Sequence, residues 1–362
     1  MFTTADRPAA RARRSLATFG PNWFASVMGT GIVANAAATL PWQPAVLRPF
    51  ALVVWGVAAV LLVVVTAATA VHWMHHTEAA RGWIHDPVMS HFYGAPAMGL
   101  MTVGAGALLV GQPVLGAAAA PVSAVLWTAG TLLGLWTAVA IPYRVLTEHG
   151  TEPDSAFGGW LMPVVPPMVS AATGSLLLPH VPAGQPRLTL LLACYAMFGL
   201  TLLASVFVTA TIWSRLVHHG VGAAATVPTL WIVLGFLGQS VTAAHNLGGA
   251  ADGILPAPYG RAFEALALVY GVPVWGFAML WLALVVALTV RTARQGLPFS
   301  LTWWSFTFPL GTVVTGTSGL ADVSGADVLA VAAVLLYLGL LAAWAIVAVR
   351  TTRGTASGAL LA

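Results

Sequence analysis

Histidine is the residue best equipped for chemistry in this chain, and five of the ten are closely spaced. His72, His75 and His76 lie one helical turn apart, and His218 with His219 repeats the pattern. Imidazoles at that spacing can hold a metal or a haem, which would make the chain a membrane redox or sensor protein. Both groups fall at the ends of apolar runs, at the level of lipid headgroups, and no carboxylate completes a ligand set. His85 and Asp86 read as a loop and helix-start feature. No metal and no cofactor is expected. The single cysteine, Cys194, excludes an intrachain disulfide and a cysteine-cluster metal site. Gly29-Thr30-Gly31 is too short to cradle a nucleotide, and there is no P-loop, Rossmann fingerprint or serine-nucleophile elbow. Enzymatic chemistry is not expected.

Charge buried in a membrane would be the next candidate, because a proton-coupled carrier needs an ionisable group at depth. Glu264 and His245 are the possible coupling residues, although both stand near segment ends, as does His91. Glu264 has Arg261 three residues before it as an alternative partner. What remains are hydroxyls and amides: Asn22, Ser26, Thr30, Asn35, Thr102, Ser170, Thr173, Gln239, Ser240, Thr307 and Thr312. They can donate to a partly dehydrated anion, as can the N–H groups at helix N-termini. They can equally bond helix to helix, at about 0.6 kcal/mol each. For any one residue the interhelical role is the simpler reading. As a set on irregular helices they fit a weakly anion-selective lining.

The elements that would carry this lining follow from composition. Of 362 residues, 59% are hydrophobic and 7% charged, against about 25% charged in a soluble domain. Such a chain belongs in a bilayer. Spans of roughly 20 apolar residues are predicted at about 22–40, 47–74, 88–110, 121–143, 157–179, 188–214, 226–247, 262–290, 299–318 and 326–349. Residues 1–20 and 351–362 form tails, and 21–350 one ten-helix transport domain. An A-x-A site at Ala34-Asn35-Ala36 allows a cleaved signal, but the glycines and Pro21 of the first apolar run favour an uncleaved helix. With both termini cytoplasmic in the inner membrane, Arg7, Arg11, Arg13, Arg14, Arg81, Arg144, Arg215, Arg291, Arg294, Arg350 and Arg353 lie inside. Only Arg48, Arg187 and Arg261 lie outside, a strong positive-inside bias. These scattered arginines mark topology and not a nucleic-acid surface.

The odd segments are the irregular ones. The first has Gly29 and Gly31, the third Gly94, Pro96 and Gly99, and the fifth Pro163, Pro166 and Pro167. The seventh has Gly235 and Gly238, and the ninth Pro309 and Gly311. Each is expected to break seven to ten residues from its start. The even segments are smoother, except the eighth with Gly271 and Pro273. Irregular backbone at membrane depth is tolerated where it is buried or lines a cavity. The prediction is an all-α integral membrane protein: five helical hairpins around a central pore, odd helices inside and even helices outside. The competing reading is that glycine and proline merely let helices pack closely.

Five stretches occur together and in order: PNWFASVMGTGIVANA, HFYGAPAMGLMTVGAG, WLMPVVPPMVSAATG, PTLWIVLGFLGQS and WWSFTFPLGT. On these, across about residues 19 to 350, the chain resembles the tellurite-resistance/dicarboxylate transporter family. That family includes bacterial TehA, fungal malate permeases, sulfite efflux pumps and the slow anion channels of plant guard cells. The resemblance implies a homotrimer in the lipid bilayer, with a narrow uncharged pore in each subunit. It implies a phenylalanine plug beside the helix break, on Phe308 before Pro309, with Phe306 the competitor. Glycines matching Gly29 and Gly31 would seat that ring. The pore lining expected on the odd helices is Gly29, Thr30, Gly31, Pro96, Met98, Met162, Pro166, Pro167, Gly235, Gln239, Thr307 and Thr312. Chloride, nitrate, sulfite, tellurite-related oxyanions and C4-dicarboxylates such as malate are all compatible. A channel is favoured, since no buried arginine offers a dicarboxylate clamp; a proton-coupled efflux carrier is the alternative.

Overall fold

The computed structural model describes residues 16–361 apart from residue 149. The expected inside arginines Arg7, Arg11, Arg13 and Arg14 lie outside the described residues. Helices account for nearly everything described, as the bilayer requires, because a helix satisfies its own N–H and C=O groups. In chain order they are α1 (Phe24–Thr39), α2 (Leu47–His75), α3 (Thr77–His85), α4 (Gly94–Leu109), α5 (Ala119–Thr147) and α6 (Pro166–Gly174). There follow α7 (Gln185–His219), α8 (Ile232–Ala251), α9 (Tyr259–Gly296), α10 (Phe308–Ser324) and α11 (Asp327–Ala356). Among the described residues, seven spans are long and apolar enough to cross a membrane; α1, α6 and α10 fall short, with 16, 9 and 17 residues.

Burial sorts the helices into two sets. The span Ala224–Ala251, which contains α8, is 83% buried, whereas Tyr259–Gly296 is 22% buried. α1, α4, α6 and α10 are buried along nearly their whole length, like α8. α2, α5, α7, α9 and α11 bury one stripe and expose side chains such as Val60, Phe207, Val269 and Leu335. An apolar surface of that extent fits lipid, not water. The buried helices touch in sequence, α1 to α4, α4 to α6, α6 to α8, α8 to α10, and α10 back to α1. Each also packs against the exposed helix that follows it: α2, α5, α7, α9 and α11 in turn.

The irregularity of the buried set takes a different form from the one predicted. α1 runs unbroken through Gly29 and Gly31, and α8 through Gly235 and Gly238. The discontinuity lies earlier, where a 3-10 segment hands over to the α-helix. Pro21–Trp23 precedes α1, Met89–Tyr93 precedes α4, Gly158–Leu161 precedes α6, Ala224–Trp231 precedes α8 and Leu301–Phe306 precedes α10. Pro166, Pro167 and Pro309 sit at the first two positions of their helices and Pro96 in the first turn, where a missing N–H costs no helical bond. The glycines do close packing. A Cβ on Gly238 would strike the Thr312 and Val313 backbone, and one on Gly316 would approach the Gly238 carbonyl. α3, between α2 and α4, was not predicted; its apolar face is too short to read as a span.

Candidate functional site

Two cavities lie inside the ring of buried helices, and they line up. The upper one, about 540 Å³, is walled by Ile32, Asn35 and Thr39 of α1, Thr102 of α4, Val169 and Thr173 of α6, Gln239, Thr242 and Asn246 of α8, and Thr315 and Ser318 of α10. Its rim is exposed at Pro41, Trp42, Asp322, Gly325 and Asp327. The lower one, about 20 Å³, is walled by Met28, Met98, Met162, Val165, Ile232, Gly235, Trp304 and Pro309 among others. That is room for about one water.

Helical spacing relates the two. Met28 and Ile32, Met98 and Thr102, Val165 and Val169, Gly235 and Gln239 are pairs four residues apart, the first below and the second above. Four residues are one turn, about 5.4 Å along the axis. The same face of four helices therefore lines both cavities in succession. On the fifth helix a single residue lines both: Phe308. Its ring is the partition, and it is 2% exposed.

The local sequence fixes that ring. Thr307 donates through its hydroxyl, at 2.7 Å, and through its N–H, at 3.1 Å, to the Trp304 carbonyl, ending the 3-10 segment. Gly311 N–H then donates to Thr307 at 2.9 Å, so α10 begins at Phe308 with Pro309 in its first turn. Gly29 leaves room for Trp304 and the Thr307 hydroxyl, and Gly311 leaves room for Ile32. Trp304 is tied by its indole N–H to Thr351 at 3.1 Å. Phe306 stands elsewhere. It meets Trp231 and Trp303 edge-on, with centroids 5.1 and 5.6 Å away, and lines neither cavity. Arg350 lies 4.7 Å over the Trp303 ring.

Of the lining residues predicted, Met98, Met162, Gly235, Gln239, Phe308 and Pro309 border the cavities. Gly29, Thr30, Gly31, Pro96, Pro166, Pro167, Thr307 and Thr312 stand in the surrounding helix contacts. Thr30 accepts from Trp344 at 3.2 Å; Thr312 donates to Pro309 and Leu234 carbonyls at 2.6 and 3.2 Å. Ser26 donates to the Trp23 carbonyl of the preceding 3-10 segment, and Thr102, Ser170 and Thr173 donate to carbonyls of their own helices. His245 lines the upper cavity, and its Nε2 lies 3.6 Å from Asp322 Oδ2. Glu264 is exposed on α9, away from both cavities. His72 turns inward, with Nδ1 2.7 Å from the Leu16 carbonyl, while His75 is exposed, so the two do not converge. His218 Nδ1 bonds the Ser214 carbonyl of its own helix. Thr39, Thr242, Asn246, Ser318, Asp322 and Asp327 complete the polar wall and were not singled out from the sequence. Part of their signal was legible: Thr39 is four residues after Asn35, Thr242 and Asn246 are three and seven after Gln239, and Ser318 and Asp322 are four apart on α10.

Chemically, the two cavities on either side of Phe308 differ. Below it the wall is methionine, valine, isoleucine and tryptophan. Above it hydroxyls and amides are set among apolar side chains such as Ile32, Leu109, Val169 and Leu176, with carboxylates and one imidazole toward the rim. Two amide oxygens, Asn35 Oδ1 and Gln239 Oε1, are buried there without a partner among the described residues. An unpaired buried acceptor costs about 1–3 kcal/mol, which a bound solute or water would relieve.

The voltage-dependent anion channel profile matches residues 18–352. The sulfite efflux pump SSU1 of Arthroderma otae is 26% identical over 96% of this chain and 94% of its own length. The corresponding pump of Trichophyton rubrum is 26% identical over 84% and 82%. An uncharacterized transporter of Methanocaldococcus jannaschii is 25% identical over 94% of both chains.

Proposed function

The chain belongs to the voltage-dependent anion channel family, and from that premise we propose that it conducts small anions across the inner membrane through a phenylalanine-gated pore in each subunit. It is a multi-pass membrane protein of a transport family. The finer reading has ten crossings paired as five hairpins, with both termini cytoplasmic, and a homotrimer in lipid. Short helices count as crossings here because α1, α6 and α10 are each lengthened by 3-10 turns. The closed order of contacts among the buried helices supports the arrangement. Arginines at the inner ends of the exposed helices support the orientation.

One observation carries the gate: Phe308 is the side chain that borders both cavities. An apolar constriction filled by one phenyl ring stops ions by occlusion and dewetting, since an anion cannot shed its hydration there without replacement donors. Replacing the ring by a methyl group joins an open vestibule to a small apolar chamber. The test is anion current in planar bilayers for wild type and Phe308→Ala in chloride, nitrate, sulfite and malate. A quiet wild type and a conducting, anion-selective Phe308→Ala are expected. Equal, low currents in both would remove Phe308 from the gate. Sulfite is included because it is what the fungal relatives are named for.

A second reading has its own observation. His245 and Asp322 form a pair on the vestibule wall, and such a pair can carry a proton with a passing anion. Flux that appears only under an imposed pH gradient, and is lost in His245→Gln, would favour a coupled carrier over a channel.

A further inference from the structure

Gln239 is 5% exposed and borders the upper cavity one turn above Gly235. Neither end of its carboxamide has a partner among the described residues: Oε1 is buried and unpaired, and no bond of the nitrogen is found. Among the neighbouring polar groups, the Ser318 hydroxyl is also buried and unpaired among the described residues, while the others are engaged. Thr242 and Thr315 hydroxyls bond each other at 2.7 Å, and Asn246 reaches the Ala172 carbonyl at 3.4 Å. Asn35 donates to the Thr102 carbonyl, which holds its own unpaired oxygen in place on the facing helix α1. The charged and titratable groups of the wall are His245, Asp322 and Asp327, with no arginine among the described lining residues.

A free carboxamide offers a donor and an acceptor side by side. Its terminal torsion is soft, so either end can face the cavity. A halide or nitrate uses only the donor, and is repelled by the unpaired oxygens. An oxyanion that keeps one proton uses both: its O–H donates to the amide oxygen while its charged oxygen accepts from the amide N–H. Resting on the pathway reading above, we propose that Gln239 recognises singly charged anions bearing an O–H group, the class of hydrogen sulfite, hydrogen carbonate and half-protonated dicarboxylates. This makes Gln239 a specificity-determining residue for the pore.

Hydrogen carbonate and nitrate form the sharpest probe pair, because both are planar, singly charged and built of three oxygens around one atom. They differ chiefly in the O–H. Their permeability ratio would be measured by reversal potential in the Phe308→Ala background, at one pH, for Gln239, Gln239→Leu and Gln239→Met. Expected is a ratio that falls about tenfold in both variants, the size of one lost buried hydrogen-bonding pair, with nitrate current changed less than about twofold on the same scale. A parallel fall of both currents, or an unchanged ratio, overturns the proposal while leaving the pathway intact. Should both variants fail to fold, the Gln239 protein alone decides: hydrogen carbonate ahead of nitrate supports recognition, and nitrate ahead, as its weaker hydration dictates, overturns it. No current for any anion in Phe308→Ala overturns this proposal and the pathway reading together.

Discussion

Phe308 and Phe306 are two residues apart, and their surroundings differ. Phe306 is wedged between two tryptophans. Phe306→Ala removes a packed ring, so it is expected to lower stability by about 3 kcal/mol, with no gain in current; thermal unfolding in detergent checks the first and bilayer recording the second. Phe308 has cavity on both sides, so its truncation is expected to cost little stability. The mouth of the vestibule presents a different problem at the same scale. Asp322 and Asp327 stand on the rim of a pathway proposed for anions, and Asp322 is 79% exposed. A carboxylate there lowers the local anion concentration through its field, and salt screens that effect within about 10 Å at 0.1 M. Asp322→Asn in the Phe308→Ala background is therefore expected to raise anion current about twofold at low salt and to change little at 1 M. A gain that persists at high salt would point to altered packing with His245 instead of electrostatics.

At the scale of elements, the α8–α10 seam depends on backbone approach. Gly238 faces the Thr312 peptide with no space for a side chain, whereas Gly276, on lipid-facing α9, has nothing within 4 Å of where its Cβ would be. Gly238→Leu is expected to abolish folded yield and Gly276→Leu to leave it near wild type, as read by size-exclusion profiles after extraction. Alternation of irregular and smooth segments was legible in the sequence because glycine and proline are concentrated on the buried helices, α9 with Gly271, Pro273 and Gly276 being the exception. The position of the discontinuities was not legible. Gly29, Gly31, Gly235 and Gly238 look like breaks in one dimension, but the chain spends them on neighbours that are distant in sequence. The 3-10 segments carry no consistent residue signature, since PNW, MSHFY and LTWWSF share only an aromatic. The site was legible at Phe308, Pro309, Gly235, Gln239 and the methionines. Thr30, Thr307 and Thr312 were on the right helices, but residue type alone does not reveal which way a threonine turns around its helix.

For the whole molecule, sidedness and assembly are the open expectations. Single cysteines replacing Arg294 and Asp327 are expected to react with a membrane-impermeant maleimide from opposite faces of the membrane; Cys194 is buried and stays silent. Reaction of both from one face would overturn the orientation drawn from the arginines. Native mass spectrometry is expected to find three chains together. The closure of the buried ring has a further consequence, in the order of synthesis. Four of its five members are made before α10, which both touches α1 to finish the wall and carries Phe308. On the proposed gate, a chain arrested before Ser300 has no complete wall to conduct through, and a chain that completes the wall has already delivered its plug. The ribosome thus never has to release a finished, unstoppered tube into the membrane, and a late nonsense mutation should give a degraded fragment rather than a toxic leak.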